Sequence, residues 1–531
     1  MACTTILVGK KASYDGSTMI ARNDDSGSGH FTAKKFVVVQ PEEHPAVYKS
    51  VISHVEVPLP GDALRMTAMP NAVEGKGIWA ASGVNAANVG MTATETITSN
   101  PRVLGADPLV VYQPAGDGQP EVPGGIGEED IVYLVLPYIH SAREGVLRLG
   151  KLLEEYGTYE MNGIAFQDVD EIWWLETIGG HHWMARRVPD DSYVVMPNQL
   201  GIDAFDLDDA FGAQENYLCS ADLREFIRDN YLDLSLDGRL NPRDAFGSHD
   251  DADHVYNTPR AWFMLRHLNP NTWVWDGPDA DFTPRSDDLP WCMVPEKKIT
   301  PEDVKYVLSS HYQGTPFDPY GHLGDEHTRH MYRPIGINRQ SQLAVMQIRP
   351  YRPQSDRAIQ WIAYGSNPFN TLVPFYPNVN ETPKYLEDTT TRVTSENFYW
   401  ENRIIAALCD ASFADTANAV ERYQEKTGAM GHRLVAATDE QIARLGLTAA
   451  EEAAQSAAEE EFEADNVDGD VQPMTPDETI AALRNPEVRE ILAAANQTMA
   501  DQLKEETEKL LDSVLYTRSM EMKNGFHMSD F

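Results

Sequence analysis

The sequence predicts an α+β protein in which helices cover antiparallel sheets. Three observations lead to this prediction. The N-terminal part contains short β-branched runs joined by turns, a helical stretch follows from about residue 130 to 155, and four more short strands come next without helices between them. Blocks of strands separated by a helix favour antiparallel sheets over a doubly wound parallel sheet.

A hairpin is predicted at the N-terminus. Residues 4–8 (Thr-Thr-Ile-Leu-Val) are β-branched or aliphatic and stop at Gly9. The sequence Tyr-Asp-Gly-Ser at 14–17 supplies turn chemistry, and residues 18–22 run back beside the first strand. The second strand therefore brings Arg22 and the polar residues after it back to the start of the first.

The next elements follow the same reasoning. Short β-rich runs bounded by Gly, Pro or polar turns predict strands at 36–39, 78–81, 89–94, 163–166, 171–175, 182–185, 193–196, 342–348 and 358–363. The runs at 78–81 and 89–94 form a second hairpin, and the four between 163 and 196 form an antiparallel meander. Between residues 130 and 155, apolar side chains recur at helical spacing, and Pro137 kinks or splits that helix.

The middle and the C-terminal part of the chain differ in composition from the N-terminal part. The middle, residues 204–383, is rich in aromatic residues, Pro, Asn and His, which predicts irregular structure with scattered strands. Residues 451–470 hold nine acidic side chains and no Lys or Arg, which predicts an exposed linker at 447–475. We therefore divide the chain into a core at 3–385 and a mainly helical region at 386–531. The predicted helices are at 397–408, at 411–426 and in two stretches between 476 and 518.

The composition restricts the function. A net charge of −39 repels phosphate backbones and anionic lipids, which argues against nucleic-acid binding and membrane adsorption. It suits a cationic or zwitterionic substrate, or it only keeps the protein soluble. Four scattered cysteines without C-x-x-C spacing fit a reducing compartment. The sequence shows no leader segment and no apolar run of about 18 residues, so a cytoplasmic protein is expected.

Cys3 is the candidate nucleophile. As the first residue of a processed chain it would carry a thiol and a free α-amine, with ordinary pKa values of about 8.5 and 7.7–8.0. That amine can take the thiol proton and return it to a leaving amine. Arg22 would favour the thiolate and Asp25 would orient the amine, although the two could also be a solvated turn pair. Adjacent strand residues face opposite ways, so only one of Asp24 and Asp25 can serve the site.

A set of segments spread over residues 3 to about 400 points to one family. They are Cys-Thr-Thr-Ile-Leu-Val-Gly at 3–9, Tyr-Asp-Gly-Ser at 14–17, Arg-Asn-Asp-Asp at 22–25, Gly-Val-Asn at 83–85, Met-Thr-Ala-Thr-Glu at 91–95, Glu176, His-His-Trp at 181–183, Val-Pro-Asp-Asp-Ser-Tyr at 188–193, Asn198, and the stretches 311–320 and 333–339. Together they resemble the dipeptidase A type of cysteine dipeptidases, relatives of bile salt hydrolase and penicillin V acylase in the N-terminal-nucleophile (Ntn) hydrolase superfamily. The resemblance implies a four-layer αββα core, amide hydrolysis without a metal or other cofactor, and exposure of the cysteine by processing.

The resemblance also implies roles for individual residues. Cys3 is the nucleophile and its α-amine the base, Arg22 and Asp25 tune and orient it, and Asn198 donates to the oxyanion. Arg260, in Thr-Pro-Arg-Ala-Trp, resembles the family's second active-site arginine.

Two features depart from the related enzymes. The cysteine stands at position 3, so both Met1 and Ala2 must be removed, by self-cleavage or by another peptidase. Glu95 stands where the acylases carry an asparagine or tyrosine. A carboxylate there would suit the ammonium group of a free dipeptide, although it could also be a plain surface glutamate.

We therefore predict an Ntn cysteine dipeptidase that needs no cofactor. The alternatives are an N-acyl amide hydrolase of the same fold, a non-catalytic member that serves an assembly, and a metal-dependent peptidase. His322, His327 and His330 lack H-E-x-x-H spacing and lie in a loop rich in Pro and Gly, which argues against the last. The C-terminal helices could mediate a homo-oligomer. The sequence does not identify the preferred dipeptides or the residue that binds the substrate carboxylate.

Overall fold

Two antiparallel sheets form the centre of the protein, and helices cover the outer face of each. The computed structural model describes residues 3–116, 118–445 and 486–524. The predicted propeptide, Met1 and Ala2, and the predicted acidic linker at 447–475 lie outside these ranges. None of the described helices is both long enough and apolar enough to cross a membrane.

The strands of the described chain are β1 Thr4–Val8, β2 Thr18–Asp25, β3 Val37–Val39, β4 Val47–Lys49, β5 Glu56–Pro58, β6 Met66–Ala68, β7 Ser82–Val84, β8 Gly90–Thr96, β9 Asn162–Gln167, β10 Ile172–Ile178, β11 His182–Arg187, β12 Tyr193–Met196, β13 Tyr217–Cys219, β14 Cys292–Met293, β15 Gln340–Ile348, β16 Ala358–Tyr364 and β17 Val373–Phe375.

The α-helices of the same ranges are α1 Pro101–Ala106, α2 Ile131–Val135, α3 Ala142–Tyr156, α4 Leu207–Ala210, α5 Leu223–Asp229, α6 Pro242–Phe246, α7 Asp253–Tyr256, α8 Thr258–Leu268, α9 Pro301–Leu308, α10 Lys384–Glu387, α11 Phe398–Asp410, α12 Phe413–Arg444 and α13 Pro486–Met520. Short 3₁₀ turns lie at Pro41–Glu43, Leu136–Tyr138 and Asn367–Phe369.

The first sheet places β1 between partners from distant parts of the chain. Its seven strands run in the order β14-β12-β1-β2-β15-β16-β17, and β1 pairs antiparallel with both neighbours. The second sheet has six strands in the order β13-β11-β10-β9-β8-β7. Thr5 lies opposite Met196 on one side and opposite Arg22 on the other. The start of β1 is therefore held in the middle of a sheet rather than at its edge.

Three apolar clusters separate four layers. Between the two sheets lie Leu7, Ile20 and Ala344 from the first and Ala165, Trp174 and Met184 from the second. The outer face of the six-stranded sheet packs against α2 and α3 through Phe166, Trp173, Leu175, Leu134 and Leu149. The outer face of the seven-stranded sheet packs against α8, α9 and α13 through Ile6, Ala21, Met264, Val304 and Leu492. The predicted four-layer αββα fold is confirmed.

The C-terminal helices pack against the seven-stranded sheet. Gly431 of α12 lies so close to Pro374 of β17 that a Cβ would be 2.6 Å from the proline Cδ. The side chain of Asn496 on α13 accepts from the Tyr376 backbone N–H at 2.8 Å and donates to its carbonyl at 2.9 Å. These contacts tie α12 and α13 to the sheet, whereas the buried apolar side chains of α11 belong to the cluster between the two sheets. The division at residue 385 stays a prediction.

The second predicted hairpin is shifted along the chain. It forms between β7 and β8, so the first predicted strand, at 78–81, is wrong. Trp79 and Ala81 have φ values of +51° and +56°, which a strand does not allow. In this conformation the Trp79 carbonyl accepts from Lys34 at 2.8 Å and the Ala81 carbonyl accepts from Arg22 at 3.3 Å. Polar contacts therefore override the β-propensity of this segment.

Other differences have similar tertiary causes. The predicted meander contains only β9, β10 and β11, because β12 crosses to the other sheet and pairs with β1. The helix that was predicted to kink or split at Pro137 ends at Val135 and resumes at Ala142, as the proline requires. In the middle region, α8 was not predicted because nearly all of its side chains are buried, which removes the amphipathic pattern. The helix predicted at 411–426 continues to Arg444. Of the two stretches predicted between 476 and 518, the described part is one helix at Pro486–Met520, and residues 476–485 lie outside the described ranges.

Gly83 in β7 provides a test of the packing between the strands. An added Cβ would lie 2.0 Å from the backbone oxygen of Thr67, so Gly83→Ala is expected to lower the free energy of unfolding by about 1–3 kcal/mol. Gly105 on α1 is the matched control, because an added Cβ meets nothing within 4 Å and alanine favours a helix. Urea unfolding of both variants and of wild type measures the free energy of unfolding. Equal stability of Gly83→Ala and wild type would contradict the observed packing.

Candidate active site

Cys3 lies just before the first residue of β1, with its side chain in the buried space between the two sheets. Side chains alternate along a strand, and Leu7 of β1 belongs to the apolar cluster between the sheets. Cys3 and Thr5 share that face. Arg22 on β2 lies opposite Thr5 and donates from Nη2 to Cys3 Sγ at 2.8 Å. The two predicted residues, 19 positions apart in the chain, are thus in direct contact.

Arg22 is held by several other groups. Its Nη1 donates to the carbonyl of Ala93 at 2.8 Å, and its Nη2 donates to Glu128 Oε1 at 2.6 Å. Asp24 Oδ1 lies 3.5 Å from the same Nη2. Both Arg22 and Glu128 are buried, so these charges compensate one another without help from water. The guanidinium is therefore fixed in position beside the sulfur.

The surroundings determine the protonation of the thiol. Burial raises the pKa of the Cys3 thiol, Arg22 lowers it, and the carboxylates of Glu95 and Glu128 raise it further. The net direction is upward from the ordinary value, so the thiol of the chain that still carries residues 1 and 2 is protonated near neutral pH. Removal of those residues would create an ammonium group on the same residue, which favours the thiolate.

Asn198 and Arg260 meet on the other side of Cys3. Arg260 Nη2 donates to Asn198 Oδ1 at 2.7 Å, and Nη1 donates to Thr4 Oγ1 at 2.7 Å and to the Cys3 carbonyl. The Asn198 amide nitrogen donates to the Thr96 carbonyl at 2.8 Å. This amide carries two N–H bonds, so the contact with Thr96 is compatible with a second acceptor. The structure brings Arg260 to Cys3 and Asn198 to Arg260, and the oxyanion role of Asn198 stays a prediction.

The adjacent residues Asp24 and Asp25 face opposite sides of β2. A carboxylate oxygen of Asp24 lies within 4.8 Å of Cys3 Sγ, and Asp24 pairs with Lys34 at 3.0 Å. Asp25 instead binds Arg333. Burial raises the pKa of Asp25 even though Arg333 lowers it. It is therefore Asp24 that lies beside the sulfur, and the predicted role of Asp25 in orienting the amine remains untested.

Glu95, at the end of β8, is buried and not a surface residue. Its Oε2 accepts from Thr5 Oγ1 at 2.8 Å. Burial raises the pKa of Glu95 to about 8, although Arg260 and Arg22 act in the opposite direction. The carboxyl group thus lies within reach of the charges of both arginines and gains a proton easily.

Sequence reasoning missed Glu128 and Lys34. Glu128 directly follows the Gly-Gly-Ile-Gly segment at 124–127, and it is one of three consecutive acidic residues before α2. The next of them, Glu129, binds the backbone N–H groups of Val51 and Ile52 at 3.0 and 2.9 Å, so each acid has its own partners. An acidic run before a helix is ordinary, so the only available signal was that run's position after a glycine-rich loop.

One group of side chains in the described ranges has the geometry of a metal site. Ligand atoms of Cys3, Asp24 and Glu128 lie within 4.8 Å of one another. Arg22 and Lys34 already bind these acids, and a metal cation would have to approach two buried positive charges. The residues present therefore fit a metal poorly. The described histidines His322, His327 and His330 form no such group.

Comparison with known proteins agrees with this geometry. The chain matches peptidase family C69 over residues 2–426. It is 78% identical over the full length of both chains to a protein of Bifidobacterium longum (strain NCC 2705) named "Dipeptidase". It is 50% identical, again over the whole of both chains, to "Probable dipeptidase A" of Streptococcus pyogenes serotype M3. "Dipeptidase A" of Lactobacillus helveticus is 44% identical over 83% of this chain and 89% of its own.

Proposed function

This chain belongs to peptidase family C69, and we propose that it hydrolyses dipeptides with Cys3 as the N-terminal nucleophile. The observation that carries the proposal is the contact of 2.8 Å between Arg22 Nη2 and Cys3 Sγ at the start of β1. A buried thiol beside a fixed guanidinium suits nucleophilic catalysis, because the cation stabilises the thiolate. Among the relatives compared, the names "Dipeptidase" and "Dipeptidase A" favour dipeptides over N-acyl compounds as substrates.

The proposed mechanism begins when Met1 and Ala2 have been removed. The free amine of Cys3 takes the thiol proton, and the thiolate forms a bond to the carbonyl carbon of the dipeptide. Asn198 and backbone amides donate to the oxyanion. The carbon–nitrogen bond then breaks as the Cys3 ammonium protonates the departing amine. Water, which gives its proton to the same amine, attacks the thioester, releases the first amino acid and restores the cysteine.

A dipeptide enzyme must recognise two charged ends. In a dipeptide, one Cα separates each charged end from the scissile bond, so both ends lie within about 4 Å of that bond. Glu95 is the candidate partner for the ammonium end because it is buried, accepts from Thr5 and lies within reach of the charges of both arginines. An approaching ammonium lowers the pKa of Glu95 from about 8, because the opposite charge favours the ionised form.

The proposal predicts a preference for free amino ends. Wild type is expected to hydrolyse an unblocked dipeptide with a kcat/KM about 10–100 times that of its N-acetyl form, because one charge-assisted contact is lost. Glu95→Gln is expected to raise KM for the unblocked substrate and leave the N-acetyl substrate unaffected. Steady-state kinetics on both substrates measure this. An unchanged KM in Glu95→Gln would remove this role of Glu95, and faster hydrolysis of the N-acetyl substrate would favour the acylase alternative.

The raised pKa of Glu95 also gives the same variant a pH signature. Glu95 is protonated more readily in the folded state than its ordinary pKa of 4.5 allows, so its contribution to stability is full below pH 4.5 and is lost as the pH rises to about 8. A glutamine side chain at position 95 does not ionise, so its contribution to stability does not fall as the pH rises. The stability of Glu95→Gln relative to wild type should therefore increase between pH 5 and 8.5, measured by urea unfolding at each pH.

Several finer features belong to the same proposal. We place the enzyme in the cytoplasm, because it carries few cysteines and no described helix could span a membrane. A homo-oligomer built through the C-terminal helices remains a proposal, as does self-cleavage as the route by which Ala2 leaves.

Two simple measurements test the alternative functions. Activity that is insensitive to a chelator would exclude the metal-dependent peptidase. Intact mass of the purified protein tests the non-catalytic alternative, which could keep Met1 or Ala2.

A further inference from the structure

We infer that Tyr256, Arg333 and Arg339, together with Arg260, bind the free carboxylate of the dipeptide substrate. This arginine cluster lies where α7 ends and where the segment before β15 approaches the end of β2. The inference rests on the proposed function, since it assumes that Cys3 attacks a dipeptide. It assigns the partner of the substrate carboxylate, which the sequence did not identify.

The cluster is organised around one phenol ring. The guanidinium carbons of Arg260 and Arg333 each lie 5.2 Å from the centroid of the Tyr256 ring. Arg339 Nη2 donates to the Tyr256 hydroxyl at 2.7 Å. Arg260 and Arg333 are buried, whereas Tyr256 and Arg339 are partly exposed. The ring and Arg339 thus form the side of the cluster that solvent or a ligand can reach.

The cluster carries more positive than negative charge. Asp25 binds Arg333, but Arg339 donates from Nη1 to the carbonyl of Ser26 at 2.6 Å, which is uncharged. The hydrogen-bond acceptors of Arg260 are amide, hydroxyl and carbonyl oxygens. Glu95 acts on Arg260 at longer range and is readily protonated. Among the described residues, three guanidinium groups therefore face one firmly paired carboxylate, and a second carboxylate would be attracted there.

Two titratable groups respond to this excess of positive charge. The pKa of Arg260 falls to about 10, because the side chain is buried and Arg333 lies nearby. Burial alone would raise the pKa of Tyr256, but Arg333, Arg260 and Arg339 hold it below its ordinary value. A substrate carboxylate would offset the positive charge to which both groups respond.

The cluster lies close to the nucleophile. Arg260 contacts the carbonyl of Cys3 itself, so the cluster begins within one residue of the nucleophile. Glu95, the candidate partner of the ammonium end, accepts from Thr5 at the same end of β1. Groups that suit both ends of a zwitterionic substrate therefore lie near Cys3. A longer peptide would place an uncharged amide against the arginines, which explains a limit of two residues.

The test compares a dipeptide with its C-terminal amide, which lacks the negative charge. Wild type is expected to prefer the free acid about 100-fold in kcat/KM. Arg339→Gln and Tyr256→Phe should each reduce that preference about tenfold, through a higher KM for the acid, and should leave kcat/KM for the amide within about twofold. Both substitutions spare the buried Arg333–Asp25 pair, and thermal unfolding verifies that they fold.

Arg143→Gln is the matched control. Arg143 is also partly exposed, donates to a backbone carbonyl at 2.7 Å and lies 5.6 Å from the centroid of an aromatic ring, but it lies on α3 in the layer on the other sheet. It should leave the acid preference unchanged. Equal loss on acid and amide in the cluster variants, or wild-type enzyme that uses both substrates equally, overturns the inference while the proposed function stands. If neither substrate is hydrolysed, the proposed function fails and the inference fails with it.

Discussion

Replacing Cys3 with alanine is expected to abolish dipeptide hydrolysis, with a loss of roughly 10⁴-fold or more in kcat, because the acyl group has no other atom to bind. The fold should survive. Arg22 keeps its contacts with the Ala93 carbonyl and with Glu128, so the substitution leaves no buried charge without a partner. The measurement is the rate of amino-acid release from an unblocked dipeptide, with near-ultraviolet circular dichroism to verify the fold.

Cys219→Ala is the control for the loss of a thiol as such, because this cysteine lies on the edge strand β13. The same preparations reveal how the chain is processed. If Cys3 cleaves its own N-terminal bond, intact mass will show that Cys3→Ala keeps Ala2 and that wild type does not. Full activity in Cys3→Ala, or in wild-type enzyme that still carries Ala2, would falsify the proposed mechanism.

Arg22 should be the second most sensitive position. In Arg22→Met, Cys3 and Glu128 lose their shared cation, and Asp24 retains only Lys34. Breaking a buried ion pair on one side typically costs 3–5 kcal/mol of stability, so a loss of about that size is expected. Activity should fall at least about 100-fold, because the thiolate loses its stabilising charge. Urea unfolding measures the loss of stability, and kcat/KM for an unblocked dipeptide measures the loss of activity.

The double variant Arg22→Met with Glu128→Gln separates stability from catalysis. Glutamine removes the carboxylate that faced the lost cation, so part of the lost stability should return. The activity should not return, because the sulfur still lacks its cation. The rate of iodoacetamide alkylation of Cys3 against pH supplies a direct readout of the thiol pKa, which should rise in both variants. Recovery of activity in the double variant would show that Arg22 serves the fold alone.

Local patterns predicted the elements that depend on local chemistry. The β1–β2 hairpin could be predicted because its strands flank a short turn sequence, and the break before α3 could be predicted because of Pro137. The pairing of β1 with β12 could not, because it joins residues nearly 190 positions apart and no sequence period encodes it. Helix α8 was not predicted for another reason. Nearly all of its side chains are buried, Arg260 included, and only Arg266 and His267 are partly exposed.

The site divides in the same way. Cys3 and Arg22 were predicted because one hairpin brings them together and their chemistry is suited to the reaction. Glu128 joins them from 106 positions beyond Arg22, and only the folded chain shows that a buried guanidinium needs it. Asp24 and Asp25 could be distinguished only by the face of the strand, and a bulge in β15 between Gln340 and Gln342 lies opposite them. Such a bulge is invisible in sequence.

The central position of β1 has a consequence for folding during synthesis on the ribosome. Its neighbour β12 ends at Met196, so a ribosome working at roughly 5–20 residues per second needs roughly 10–40 seconds before that strand exists. Until then the first strand has at most one partner, and the beginning of the nascent chain is open to aminopeptidases. If another peptidase removes residues 1 and 2, it would therefore act before β1 is fully paired, whereas self-cleavage would have to wait for the folded site.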